Sequence, residues 1–184
     1  MSRRNKPRGK KINPAYWVFC EGKTEESYIA FLKTKYRLPI EIISKVTGSS
    51  INSNYIKKTK QGKPTDSKDR DFLMYDGDVT SIIDQLKKID KATMIISNPS
   101  IELWFLFHYK NQKASITVEE CIRELCKRNR TQYMKGVLDR KLMEKPGWEY
   151  KKACERAKES GLFNNPSSNV FELIEALEEV KKAK

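Results

Sequence analysis

Three carboxylates are the residues most able to do chemistry. Glu21 follows the apolar run Tyr16-Trp17-Val18-Phe19-Cys20, and Asp76-Gly77-Asp78 follows Phe72-Leu73-Met74-Tyr75. Both runs are rich in aromatic and apolar residues and read as buried strands. In open parallel sheets, ligands sit beyond the carboxyl ends of the strands. Carboxylates that end two such strands would meet on one edge and repel one another in a low-dielectric crevice. A divalent cation removes the repulsion. Oxygen-only donors suit Mg²⁺ or Mn²⁺, with water and a substrate phosphate completing the octahedron. Asp-Gly is also an ordinary turn dipeptide, so the pattern gains weight from Glu21 lying one strand-helix unit upstream. An EF-hand is excluded, because its glycine and closing glutamate are missing at the required offsets.

Other residues offer less to the same chemistry. Gly22-Lys23-Thr24 lacks the glycine five positions earlier that a phosphate-binding loop needs; Trp17 stands there. Glu102 opens an apolar helix after the fourth strand, at the same predicted edge. A carboxylate there needs a metal or a basic partner. His108, the single histidine, falls on a different helical face from Glu102 and reads as a packing residue. A zinc site from His108, Cys121 and Cys126 lacks a fourth ligand.

These residues need a frame. Strands are predicted at 16–20, 40–43, 71–75 and 92–96, with helices from Thr24, from Ser81 to Ile89 and from Ile101 to about Tyr109. A short helix near Ile51, Tyr55 and Ile56 opens an otherwise polar loop at 44–70. The alternation predicts an α/β fold, a mainly parallel four-stranded sheet flanked by helices. After residue 115 the pattern predicts helices at 118–126, about 132–141, about 150–159 and 170–182, and no strand. The expected organisation is a basic flexible tail (1–14), an α/β core (15–114) and a helical C-terminal extension of the same domain (115–184).

Composition narrows the partners. Thirty-seven Lys and Arg against 24 Asp and Glu give a net charge of +13, which favours polyanions such as nucleic acid. Lys23, Lys57, Lys58, Lys60, Lys68 and Arg70 are the candidate phosphate contacts, most of them in the loop before Asp76. Arg123, Lys127, Arg128 and Arg130 form a second basic group. Four cysteines without a C-x-x-C pair predict reduced thiols in a cytoplasm. No apolar run approaches the roughly 20 residues of a membrane span, and the charged start does not read as a signal peptide.

The motifs also carry a resemblance. Phe19-Cys20-Glu21-Gly22-Lys23-Thr24-Glu25 followed by Asp76-Gly77-Asp78 resembles a Toprim domain. Residues 97–108 (SNPSIELWFLFH) and 165–170 (NPSSNV) are similar to the RloB-like family, which is related to Toprim nucleases of the OLD type. The resemblance covers most of residues 16–175 and implies a Toprim-like core. It implies Glu21 as metal ligand or general base, Asp76 and Asp78 as metal ligands, and Glu25 as a further ligand. It further implies Mg²⁺- or Mn²⁺-dependent cleavage of DNA or RNA in bacterial phage defence, beside an AAA-type ATPase partner. The alternative is a non-catalytic module that binds or senses nucleic acid and regulates that ATPase. A homo-oligomer is left open.

Overall fold

The computed structural model describes residues 13–129, 133–137, 143 and 149–182. Residues 1–12, most of the expected basic tail, and Arg130 lie outside this set. Strands β1 (Ala15–Cys20), β2 (Glu41–Val46), β3 (Arg70–Asp76), β4 (Ala92–Asn98) and β5 (Ser167–Ser168) form one sheet in the order β2-β1-β3-β4-β5. The first four are parallel and β5 is antiparallel to β4. Among the described residues the helices are α1 (Lys23–Tyr36), α2 (Ser53–Lys60), α3 (Thr80–Leu86), α4 (Ile101–Phe107), α5 (Val118–Asn129), α6 (Tyr150–Glu159) and α7 (Val170–Lys182).

Continuous apolar strands form because both faces of the sheet are covered. In β1, Tyr16, Val18 and Cys20 point into one core with α1 and the C-terminal helices, whereas Ala15, Trp17 and Phe19 point into the other with α2 and α3. The same alternation splits Phe72 and Met74 from Leu73 and Tyr75. α4 is buried on every side and sits between the sheet and α5 and α6. His108, just past α4, is 1% exposed and lies edge-on to Trp104 and Tyr150, with ring centroids 5.0 and 4.9 Å away. Burial holds its pKa well below the ordinary value. It is a packing residue.

Two expectations for the second half are corrected. The sheet has a fifth strand, where none was expected after residue 115. Ser167 and Ser168 pair with Asn98 and Ser97, and the Ser97 and Ser168 hydroxyls lie 2.8 Å apart. Asn169 prolongs the pairing with its side chain: Oδ1 accepts from Ile96 N (2.6 Å), and Nδ2 donates to Met94 O (2.8 Å). A strand built from hydroxyls and an amide has no apolar alternation to read. The second correction concerns residues 132–141, expected as a helix. The described part, 133–137, is a turn closed by a bridge between Met134 and Val137. Gly136 holds φ +82°, a conformation that helices exclude.

Candidate functional site

The site begins with strand register. β1 and β3 run side by side with Cys20 opposite Met74, so both end at one level. Glu21 N donates to Met74 O (3.0 Å). The Glu21 side chain then reaches across to β3, where its Oε2 accepts from Asp76 N at 2.9 Å. Asp76 in turn accepts from Ile101 N, the first residue of α4, through Oδ1 at 3.0 Å. Among the described residues no hydrogen bond engages Glu21 Oε1 or Asp76 Oδ2.

Two further carboxylates close in. α1 starts one residue before the expected Thr24, and Gly22 occupies its N-cap. Glu25 therefore falls in the first turn, and its Oε2 accepts from Gly22 N at 2.9 Å. Thr24 accepts through Oγ1 from Gly136 N (2.9 Å). Glu102 is completely buried. Its Oε2 accepts from the Ser100 hydroxyl (2.6 Å) and its Oε1 from the Tyr133 hydroxyl (3.0 Å).

The electrostatics follow from this crowding. Burial pushes the Asp76 carboxyl up to about 9, and the charges of Glu25, Glu21 and Glu102 add to it against the Ile101 N–H bond. Glu25 is raised too, first by burial and then by Glu102 and Glu21 against its backbone hydrogen bonds. Among the described residues none of these four carboxylates has a Lys, Arg or His within 4.0 Å. A cavity of about 330 Å³ opens beside them, lined by Glu21, Gly22, Lys23, Thr24, Glu25, Asp76, Lys135 and Gly136.

The expected residues thus separate into three groups. Glu21 and Asp76 meet, and Glu25 and Glu102 join them. Asp78 does not: it is exposed in the turn beyond β3. Gly77 makes that turn by close approach. Its N donates to Ser97 O at 2.8 Å, and a Cβ there would lie 2.8 Å from Asn98 Cβ and 2.9 Å from Ile96 Cγ2. Most of the basic residues lie elsewhere. Lys23 lines the cavity, its Nζ 3.0 Å from Glu26. Lys60 and Arg70 sit at the opposite end of β3, Lys60 bonded to Asp71 at 2.7 Å. Lys57 and Lys58 are exposed on α2, and Lys68 is exposed in the loop that follows.

Donor chemistry fits a hard cation, but the present rotamers do not form a cage. Among the described residues no group of three His, Cys, Asp or Glu side chains is placed to hold a metal ion. Glu25 and Glu102 are each turned toward their own hydrogen-bond partners. Glu21 and Asp76 remain as a pair, and Mg²⁺ commonly takes only one or two carboxylates, keeping waters for the rest of its shell. Tyr133, Lys135 and Gly136 were missed as site residues. The one signal for them was a glycine inside a predicted helix.

A mainly parallel sheet between helices, whose carboxyl edge gathers buried and half-buried carboxylates, defines the structural class. The family model described as RloB-like protein matches residues 16–177, and the chain belongs to that family. No curated protein and no solved structure matches the chain.

Proposed function

We propose that the chain is a metal-dependent nuclease that cleaves DNA or RNA phosphodiesters at the Glu21–Asp76 edge. The observation that carries the reading is the placement of two carboxylates at adjacent parallel strand ends, linked by the bond from Asp76 N to Glu21 Oε2, with no cationic side chain within ion-pair distance among the described residues. Glu21 and Asp76 would hold Mg²⁺ or Mn²⁺, which when bound would activate a water and stabilise a leaving oxygen. Glu25 and Glu102 would deepen the negative field that draws in the cation. Glu102, held by Ser100 and Tyr133, would keep the turn at 133–137 docked. Lys23 and Lys135 line the cavity and would offset charge developing on the phosphate. Family membership supports a Toprim-like relationship, a role in phage defence and an ATPase partner as parts of the same proposal.

One observation favours a second reading, a nucleic-acid sensor that regulates its partner: the lack of a preformed three-carboxylate group among the described residues. The full-length protein, incubated with tRNA, single-stranded RNA, plasmid DNA and single-stranded DNA, separates the two. Cleavage of at least one substrate with Mg²⁺ or Mn²⁺, abolished by EDTA, is expected. Binding without cleavage under every condition would replace the nuclease by the sensor.

A further inference from the structure

An aromatic ring is held on the surface beside the carboxylate edge. Phe163 lies in the connection between α6 and β5 and is 37% exposed; Leu162 beside it is 42% exposed. Phe163 has φ 67°, a left-handed conformation that L-residues with a Cβ adopt only at a cost. Such strain persists only where the surroundings impose it. Here they do. Asn98 Nδ2 donates to Phe163 O at 2.9 Å. Two residues later, Asn165 accepts from Ile116 N (3.0 Å) and donates to Ile116 O (2.9 Å). Ser160 ties the start of the loop to Ala157 O at 2.7 Å. The loop is fixed at both ends and in the middle, and the ring still faces solvent.

Its position connects it to the site. Asn98 ends β4, one residue beyond the Ser97 that pairs with Asp76. Gly77 packs on Asn98, and the Asn98 amide carries Phe163. Lys87 Nζ stands over one face of the ring, 5.3 Å from its centroid, and 3.5 Å from Asp84 Oδ1 in an exposed pair, so ring and cation share one patch. Polar Asn98 and Lys87 beside the ring argue against a broad apolar protein footprint. An aromatic face bordered by cations is the arrangement that takes nucleic-acid strands with unpaired bases.

We propose that Phe163 is a stacking platform for an unpaired nucleobase, with Lys87 taking the neighbouring phosphate, on a strand that continues to the Glu21–Asp76 edge. The inference rests on the nucleic-acid reading of that edge and makes its substrate single-stranded or locally unpaired. In a closed duplex the base faces are already stacked on one another and offer nothing to Phe163.

Binding measured without cleavage tests this. Fluorescence anisotropy in EDTA would compare labelled single-stranded and blunt duplex oligonucleotides on the full chain, wild type against Phe163→Leu and Phe163→Trp. Stacking of one base is worth about 1–3 kcal/mol, so Phe163→Leu should weaken single-strand binding about 5- to 150-fold. Phe163→Trp should retain it, and duplex affinity should not move. Unchanged single-strand affinity in Phe163→Leu overturns the platform, as does an equal loss for duplex. Melting curves check that all variants fold. If Phe163→Leu loses single-strand affinity while the wild type cleaves nothing with metal, the platform stands and the nuclease reading falls.

Discussion

The two edges of the sheet treat charge in opposite ways. At the amino edge, charges are matched. Lys60 meets Asp71 at 2.7 Å, Asp69 accepts from Ala15 N at 2.7 Å, and Arg70 lies over the rings of Phe72 and Tyr16, 3.8 Å from Glu179. At the carboxyl edge, about 20 Å away by strand rise, Glu21, Glu25, Asp76 and Glu102 crowd together without a basic partner among the described residues. The unmatched acids at this edge are what the proposed cation would balance. Asp76 and Glu25 are the carboxyls raised here, and raised carboxyls beside a cavity mark a candidate site. The basic residues before Asp76 pointed to that edge, but the fold carries Lys60 and Arg70 to the other.

The contrast can be broken by moving charge at each edge. The largest effect is expected from Asp76→Asn, which keeps an acceptor for Ile101 N but cannot ionise to balance a bound cation. Cleavage should fall by about 100-fold or more, the scale on which single catalytic groups act, whereas binding through Lys and Arg should persist. Retained cleavage would remove the carboxyl edge from the chemistry. Next comes Gly77→Ala, which forces a methyl against Asn98 and Ile96. Overpacking of this kind costs about 1–3 kcal/mol, and the melting midpoint should drop by several degrees; an unchanged midpoint would show that β4 yields there.

A pH series sharpens the comparison. The folded Asp76 carboxyl holds its proton up to about 9, against an ordinary value of 3.8. The stability this proton confers is fully present below the ordinary value and is lost as pH rises through about 9. In EDTA the midpoint should therefore fall more between pH 7 and 9.5 in wild type than in Asp76→Asn, and Mg²⁺ should restore it. His108 titrates below this window and drops out. Parallel curves for the two proteins would show that Asp76 is not crowded. The smallest effect on cleavage is expected at the amino edge. Lys60→Met leaves the largely buried Asp71 carboxylate without its partner and should cost about 1.5–3 kcal/mol of stability, with cleavage unchanged. A collapse of activity there would erase the distinction between the edges.

The chain alone determined the elements that hydrophobic patterning can reach. Strands β1 to β4 and helices α6 and α7 follow from runs and periods, because covering both faces of a parallel sheet demands continuous apolar residues. Glu21 and Asp76 could be paired in advance for the same reason: each ends such a run, and parallel register brings the ends level. Tertiary structure alone decided what came from contacts distant in sequence. Tyr133 reaches Glu102, Gly136 N donates to Thr24, and Asn169 completes the edge of β4, through one or a few hydrogen bonds each that leave no periodic trace. Asp78 looked equivalent to Asp76 in the sequence. The close packing of Gly77 against Asn98 turns the chain there, so one carboxylate enters the cluster and the other stays in solvent.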